Sequence, residues 1–358
     1  MPHPPTKGRG APANASPTRF NLKAREEDGD WLDEREDIDG PLPKLRTSVT
    51  EEFPKSILTF NSSPDLPFDR SVNAYRGCEH GCVYCYARPT HAYHDLSPGL
   101  DFESKLFAKP DGAELLRATL AKRSYRPAPI AIGTNTDPYQ PIEDRYRITR
   151  QILELMVEAQ HPIVITTKSA RVTRDIDLLA ALARKRLTGV AISVTTLDGA
   201  LARVLEPRAS APAKRLEAVR ALSDAGIYVH VNIAPVIPAI TDHELEAIAD
   251  AAAVAGAKSI SWIPLRLPHE VAPLFRDWLD VHYPDRAKKV MNILRDMRGG
   301  KDNDARFGSR MRGGGPWAEL TRTRMKRLMR KYALGMDKWH VRSDLFMRPN
   351  ADGQMSLL

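Results

Sequence analysis

The chain contains little cysteine and no long apolar run. It has only 3 cysteines in 358 residues, an odd number, and a chain of this length builds a core without disulfide bonds. No 18 consecutive residues are apolar, so we expect no transmembrane helix. Met1–Pro17 is rich in proline and lacks the apolar segment of a secretory signal. We therefore expect a cytoplasmic protein with reduced thiols.

Charge is distributed unevenly along the chain, whose formal net charge is +8. Residues 286–348 contain 18 lysines and arginines against 6 acids, whereas residues 25–39 contain nine acids and two arginines. A basic region of this kind is typical of proteins that bind a polyanion such as nucleic acid. A solvated basic surface without a partner has the same composition, and this alternative stays open.

The hydrophobic pattern divides the chain into regions. Residues 1–45 lack apolar periodicity and are predicted to be disordered. Residues 46–270 alternate apolar runs with helical patterns, and residues 271–348 predict two or three helices in a basic extension. The six predicted strands are Ser71–Tyr75, Ile130–Thr134, Ile163–Thr167, Val190–Thr195, Tyr228–Ala234 and Ser259–Pro264. Strands that alternate with helices form a parallel sheet with right-handed crossovers, so the fold class is α/β.

All three cysteines, Cys78, Cys82 and Cys85, lie within eight positions on one glycine-containing loop. Three thiolates can bind three irons of a cubane cluster, whereas full ligation takes four. One iron then keeps an open coordination position, where chemistry can take place. Two other interpretations stay open at this point: a zinc site completed by His80 or His91, and three free buried thiols.

The spacing C-x3-C-x2-C, with Tyr84 just before the last cysteine, resembles the radical S-adenosylmethionine (SAM) superfamily. The resemblance implies a 4Fe–4S cluster on the three cysteines, with SAM on the fourth iron and Tyr84 next to its adenine. It implies reductive cleavage of SAM to a 5′-deoxyadenosyl radical that abstracts hydrogen from a substrate, with an electron donor such as flavodoxin or ferredoxin. It also implies a partial (β/α)6 TIM-like barrel over residues 46–270. Because the strand pattern agrees with this fold, it favours the cluster over zinc.

The second predicted strand ends in Gly-Thr-Asn-Thr-Asp-Pro-Tyr-Gln-Pro-Ile-Glu at residues 133–143. Most of the superfamily has a Gly-Gly-Glu stretch here. The present motif instead resembles the branch of spore photoproduct lyase and DNA repair photolyase-like proteins. This resemblance implies that the backbone of Gly133, Thr134 and Asn135 binds the amino group of SAM, and that a DNA lesion is the substrate.

Later strand ends carry further residues that match SAM-binding positions of this branch. Lys168 and Ser193, with Thr195 beside them, are expected to contact the SAM carboxylate, for which a cation and a hydroxyl are suitable partners. Arg203 and Glu206 are expected to organise the ribose and carboxylate side of SAM. The alternatives are a lysine at the rim and a structural ion pair. Four residues of the last two strands would line the same cavity: Asn232, Pro235, Trp262 and Arg266.

The sequence has no fourth cysteine, so it lacks the hydrogen-donating cysteine of spore photoproduct lyases. A tyrosine can return a hydrogen atom instead. Tyr86, Tyr93 and Tyr139 are the nearest candidates in the sequence.

Residues 349–358 are expected to form a flexible tail that ends in Gln354–Leu358. These five residues resemble the peptide that binds the bacterial sliding clamp, with a polar anchor followed by apolar side chains. The tail and the basic extension favour DNA as the partner. The alternatives are a metal-containing nucleic-acid-binding protein without radical chemistry, and a radical SAM enzyme that acts on RNA, a protein or a small molecule.

Overall fold

A computed structural model describes residues 8–15, 45–335 and 339–350. Its strands are β1 Ser48–Glu51, β2 Leu58–Phe60, β3 Arg70–Val72, β4 Tyr75–Arg76, β5 Lys105–Ala108, β6 Ile130–Ile132, β7 Ile163–Thr167, β8 Thr188–Ser193, β9 Tyr228–Val236 and β10 Ser259–Pro264. One sheet has the order β10-β9-β8-β7-β6-β3-β2. All neighbours in it are parallel except β2 and β3. All six predicted parallel strands are present and form the partial barrel. The first, predicted as Ser71–Tyr75, ends at Val72, and Tyr75 belongs instead to β4.

Helices connect the strands and follow the last one. They are α1 Leu100–Ser104, α2 Gly112–Leu120, α3 Glu143–Tyr146, α4 Ile148–Glu158, α5 Ile176–Arg184, α6 Gly199–Leu205, α7 Pro212–Asp224, α8 Leu245–Val254, α9 Val271–His282, α10 Pro284–Met297 and α11 Gly315–Lys331. Short 3-10 helices cover Arg88–His94, Ala170–Asp175 and Asp242–Glu244. The helices α9, α10 and α11 match the two or three that the sequence predicts after residue 270.

The main hydrophobic core lies between the sheet and the helices that cover it. Ile163, Ile165, Val190 and Ile192 from β7 and β8 are almost fully buried and pack in this core. Each such side chain contributes about 1.5–3 kcal/mol through removal of apolar surface from water. A second core joins α9 and α10 to residues that surround Cys82. The C-terminal helices therefore support the cysteine loop.

The segment of residues 339–350 closes the amino end of the barrel. Trp339 stacks on Tyr228, with ring centroids 4.2 Å apart and planes inclined by 12°. It also lies against Gly189, where an added Cβ would come within 2.5 Å of the indole. Phe346 packs nearby against His161, with centroids 5.4 Å apart. A ligand therefore has access to the barrel from the carboxyl ends of the strands.

Two features of the fold depart from the sequence predictions. The strands β1, β5 and β4 form a second, small sheet that we did not predict. Residues 8–15 belong to the segment expected to be disordered, yet they bind Glu103 and contact the cysteine loop at Gly81. The rest of residues 1–44, like Gln354–Leu358, lies outside the described residues. No helix in the described part of the chain combines the length and the apolar content needed to cross a bilayer.

Candidate active site

The cysteine loop, residues 77–86, follows β3 and β4 at the carboxyl end of the parallel sheet. Cys78 and Cys82 are each 7% exposed, Cys85 is half-buried, and none forms a disulfide bond. The Asp137 backbone N–H lies near the Cys78 sulfur, and the Ala87 and Arg88 backbone N–H groups lie near that of Cys85, where each lowers the pKa of the thiol against the effect of burial. Burial raises the pKa of all three thiols. Iron displaces the protons of such thiols, and N–H donors stabilise cluster thiolates.

The motif at residues 133–143 holds this loop in place. Thr136 donates its hydroxyl to the Gly77 carbonyl over 2.6 Å. Gln140 accepts from the Glu79 backbone N–H at 2.9 Å and donates to the Gly77 carbonyl at 3.3 Å. Gln140 is fully buried, so these bonds form away from water. This part of the motif therefore binds protein rather than ligand.

Asp137 of the same motif connects the cysteine loop to the end of β7. Its carboxylate accepts from the Thr167 hydroxyl at 2.6 Å and from the Lys168 backbone N–H at 2.8 Å. The His80 Nδ1 lies 3.3 Å from it. Burial would raise the pKa of Asp137, but His80 and the hydrogen bonds outweigh it and lower the pKa to about 2. The group is therefore an ionised anchor.

Glu206 is the centre of a buried polar cluster beside the cysteine loop. Its carboxylate accepts from the Tyr84 hydroxyl, from the Thr195 hydroxyl at 2.8 Å, and from the Arg215 guanidinium. Lys168 places its Nζ 5.7 Å from the centre of the Tyr84 ring. Burial would raise the pKa of Glu206, but Arg215 and Lys168 outweigh it and lower the pKa to about 2. Four of the predicted SAM-binding residues therefore meet here.

Arg203 does not join this cluster, although the sequence resemblance placed it there. It is exposed on α6, and Arg215 of α7 forms the ion pair with Glu206 instead. Sequence reasoning missed Arg215. The available signal was periodicity, because Arg215 precedes Val219 and Leu222 on the buried stripe of α7. A charged residue on such a stripe needs a buried partner.

The remaining predicted SAM-binding positions lie at neighbouring strand ends. Gly133 has a φ of +87°, which favours glycine. The Thr134 carbonyl accepts from the Tyr86 hydroxyl, and the Asn135 backbone N–H donates to Asn73 Oδ1 over 3.0 Å. The backbone at residues 133–135 is therefore fixed by Asn73, which follows β3, and by Tyr86 of the cysteine loop.

Ser193 and Asn232 lie on adjacent strands, β8 and β9. The Ser193 side chain is buried, and its carbonyl accepts from Arg215 at 3.0 Å. Asn232 accepts at Oδ1 from the Ser261 hydroxyl over 2.8 Å. Asn232 therefore connects β9 to β10, and Ser193 connects β8 to α7.

The three tyrosine candidates have different surroundings. Tyr86 is 52% exposed and lies beside Arg266, whose guanidinium carbon is 5.9 Å from the ring centre. Tyr93 is also exposed. Tyr139 is wholly buried in the main core, with Arg174 over its ring at 5.7 Å. Because no part of Tyr139 is accessible to a substrate, we withdraw it as a hydrogen donor.

A segment near the N-terminus covers the outer side of the cysteine loop. The fully buried Glu103 carboxylate accepts from the backbone N–H groups of Gly10 and Ala11 at 3.0 and 2.8 Å. It also pairs with the buried Arg88, which donates to the Cys82 carbonyl over 2.9 Å. One carboxylate thus connects this segment to the loop. No sequence periodicity indicated this contact.

Gly10 lies so close to the loop that no side chain fits. An added Cβ would come within 1.7 Å of the Gly81 carbonyl oxygen. The neighbouring Arg9 donates to the Glu103 carbonyl at 2.6 Å and to the Leu45 carbonyl at 2.9 Å. Residues 9–11 therefore contact the cysteine loop at Gly81, whereas Gln140 holds it at Gly77 and Glu79.

Of the two histidines considered as zinc ligands, His80 has its Nδ1 beside Asp137 and a buried Nε2 without a hydrogen-bond partner among the described residues, whereas His91 is engaged elsewhere. The ring of His91 packs edge-on against Phe102, and its Nε2 lies 2.8 Å from the Lys105 carbonyl. Burial lowers the pKa of His91 to about 4. Across residues 8–15, 45–335 and 339–350, no three His, Cys, Asp or Glu side chains converge on one metal ion. A cubane cluster binds each thiolate on a different iron, so its ligands do not meet at a point.

A sequence model of the radical SAM superfamily matches residues 72–252, which include all three cysteines. The chain belongs to the radical SAM superfamily. It is 37% identical over 232 residues to an uncharacterized protein of Mycobacterium tuberculosis, covering 64% of this chain and 68% of that relative. It is 28% identical over 167 residues to the radical SAM Nalpha-GlyT isomerase of Pseudomonas phage M6, covering 47% of this chain and 33% of the isomerase.

The fold also has a counterpart among solved structures. A spore photoproduct lyase mutant superimposes with a TM-score of 0.57 over 79% of each chain, at 16% identity. This likeness confirms the radical SAM type of partial barrel. The radical SAM family implies a 4Fe–4S cluster and SAM, and the chain fits both groups. It provides three clustered thiols with N–H donors, and a lysine beside them.

Proposed function

We propose that this radical SAM protein is an enzyme that cleaves SAM reductively and abstracts hydrogen from a nucleic-acid substrate, such as a DNA lesion. Cys78, Cys82 and Cys85 would hold the cluster. The observation that carries the proposal is their convergence with Lys168 and Glu206 at the carboxyl ends of one parallel sheet. Ligand sites of β/α folds lie at this end.

The bound cluster and SAM would supply a 5′-deoxyadenosyl radical. Lys168 would bind the SAM carboxylate, because it has no ion pair within the described residues while Glu79 and Glu206 pair with arginines. Glu206 would orient Tyr84 toward the adenine, since its oxygens already accept from Tyr84 and Arg215. Glu206 is then a positioning residue rather than a direct ligand of the ribose.

Two observations support a nucleic-acid substrate. Helices α10 and α11 lie within the basic region and expose many lysines and arginines. One solved structure with this fold is described as spore photoproduct lyase complexed with dinucleoside spore photoproduct. The isomerase name of the phage relative favours a rearrangement as a second candidate reaction for the same site.

Tyr86 is the stronger of the remaining hydrogen-donor candidates. It follows Cys85 directly, is half exposed, and donates its hydroxyl to the Thr134 carbonyl. A Tyr86→Phe variant should therefore still bind and cleave SAM but fail to complete product formation. Tyr93→Phe provides the comparison at the second exposed candidate. Normal product formation in both variants would exclude a tyrosine donor.

The test of the proposed function is SAM cleavage by anaerobically prepared protein under dithionite, with 5′-deoxyadenosine and methionine quantified. Lys168→Gln should raise the KM for SAM by about tenfold or more, since a hydrogen bond to a charged group contributes about 1.5–3 kcal/mol. Lys185→Gln is the matched control, because Lys185 is exposed at the end of α5. Absence of 5′-deoxyadenosine from the wild-type reaction would refute the proposal.

A further inference from the structure

A group of aromatic and arginine side chains lies beside the cysteine loop. We call it the aromatic–arginine edge: Tyr86, Arg266, Phe307, Arg310 and Met311. Arg266 follows β10 and lies over the Tyr86 ring, while its Nη1 contacts the Met311 sulfur at 3.2 Å. Arg310 lies over the Phe307 ring, 4.6 Å from its centre. The five residues therefore form one continuous edge next to Cys85.

This edge contains more positive charge than its own acids neutralise. Arg266 has a buried Nε without a hydrogen-bond partner and no ion pair among the described residues. The buried Arg298 beside it donates to the carbonyls of Ser309, Arg310 and Leu265 rather than to a carboxylate. Burial lowers the pKa of both Arg266 and Arg298, and nearby guanidinium groups add to the effect.

Asp65 is the acid that pairs within this group. It accepts from Arg310 at 2.5 Å and from the Gly308 backbone N–H at 2.7 Å. Asp65 therefore fixes the loop that carries Phe307, and its ion pair is with Arg310, whereas it acts on Arg266 only through its charge. A partly buried guanidinium without a counterion is unfavourable, so an anionic ligand would stabilise it.

The same edge exposes two flat aromatic surfaces. Tyr86 is 52% exposed and Phe307 is 60% exposed. Single-stranded nucleic acid combines phosphates, which guanidinium groups bind, with planar bases, which aromatic rings stack against. An acidic peptide supplies the negative charge but has no ring at each residue. The combination of charges and rings therefore favours a nucleic-acid strand.

We propose that the aromatic–arginine edge binds a nucleic-acid strand, with Arg266 on a phosphodiester and with Tyr86 and Phe307 stacked against bases. The proposal rests on the proposed function, and it names the surface that delivers the reacting nucleotide to the site. A base stacked against Tyr86 lies next to Cys85 and therefore next to the position where the radical would form. The strand passes between the cysteine loop and residues 307–311.

The test is fluorescence anisotropy of the anaerobically prepared, cluster-containing protein with fluorescein-labelled oligothymidylate and with an RNA oligomer of equal length. Arg266→Gln should weaken binding about tenfold and reduce the salt slope by about one phosphate contact. Phe307→Ala, at a position that is 60% exposed, should weaken binding about tenfold through lost stacking. Arg266→Lys should restore part of the affinity. Arg123→Gln is the matched control, because Arg123 is exposed near the amino end of β6.

Each outcome is decisive. Weaker binding by Arg266→Gln and Phe307→Ala, with the control unchanged, supports the proposal, and the two probes show whether DNA or RNA is preferred. Oligomer binding that none of these variants alters would overturn the edge as the binding surface while leaving the proposed function in place. SAM cleavage by a wild-type protein that binds neither oligomer would overturn both the edge and the nucleic-acid substrate. Loss of SAM binding in Arg266→Gln would show that the Arg266 guanidinium binds SAM and not the nucleic-acid strand, which would overturn its place in the edge.

Discussion

Glu206 and Arg215 form an ion pair in which each side chain is only 1% exposed. The pair connects the end of α6 to α7 and fixes Tyr84 through the second carboxylate oxygen. Arg215 also donates to the Ser193 carbonyl at 3.0 Å. This relationship makes the wall beside the cysteine loop rigid, although Arg215 is not itself expected to contact SAM.

Removal of Arg215 should strongly destabilise the protein. Arg215→Gln leaves Glu206 as a buried carboxylate without its counterion, and breaking such a pair typically costs about 3–5 kcal/mol. Arg203→Gln is the matched control on the exposed face of α6, where we expect a change within about 0.5 kcal/mol. Urea unfolding of anaerobically purified variants measures both. Equal stabilities of the two variants would contradict the role of Arg215 as the buried partner of Glu206.

Loss of the Gln140 side chain should loosen the cysteine loop. Gln140→Ala leaves the buried Glu79 N–H without its acceptor, and an unsatisfied buried group costs about 1–3 kcal/mol. We expect faster loss of iron to a chelator than in wild type. Gln151→Ala, at an exposed position on α4, is the control. Iron release at the wild-type rate would show that Gln140 is dispensable for holding the loop.

A side chain at position 10 should displace the N-terminal segment from the loop. Gly10→Ala places a Cβ 1.7 Å from the Gly81 carbonyl oxygen, which backbone atoms cannot accommodate without a shift. We expect lower iron content after reconstitution and faster bleaching in air. Gly314→Ala is the control, because a Cβ there meets nothing within 4 Å. Equal iron content in both variants would show that the N-terminal segment does not contribute to cluster binding.

Stability should fall as the pH drops below about 6.5, in part because of His161. Burial lowers the pKa of His161 to about 4, and its Nε2 lies 2.7 Å from the Tyr125 hydroxyl. The unfolded chain binds the proton near pH 6.5 and the folded chain does not, so acid favours unfolding. Through His161 alone, the free energy of unfolding should be lower at pH 5.5 than at pH 7.5 by about 1.4 kcal/mol.

Urea midpoints at pH 7.5 and 5.5 test this pH dependence. His161→Gln should lose about 1.4 kcal/mol less than wild type between the two pH values. His340→Gln, at an exposed position, should retain the wild-type pH dependence. If His161→Gln lost as much stability as the wild type between pH 7.5 and pH 5.5, His161 would be protonated at pH 5.5 in the folded protein as well.

The sequence predicted the barrel well because each strand has a short apolar run of its own. Ile163–Thr167 and Ser259–Pro264 begin and end where the pattern placed them. The strands β1 and β5 were missed because Ser48–Glu51 is polar and Lys105–Ala108 follows a helix directly. A local sequence pattern does not reveal a strand that pairs only with residues distant in the sequence.

The site was predicted less completely, because motifs identify residue types and not partners. Lys168, Thr195 and Glu206 converge beside Tyr84 as the resemblance implied. Arg215 rather than Arg203 pairs with Glu206 because of the way α7 packs, and no local spacing in the sequence indicates that packing. The contact of Gly10 with the cysteine loop joins residues separated by about 70 positions, beyond the reach of any periodicity argument.

The central claim is that three cysteines hold a cluster whose open iron binds SAM. Electron paramagnetic resonance of dithionite-reduced, anaerobically purified protein tests it directly, with iron and zinc quantified in parallel. We predict about four irons per chain, a reduced-cluster signal that SAM changes, and loss of both in Cys82→Ala. A colourless protein with one zinc per chain, or a cluster signal that SAM leaves unaltered, would contradict it.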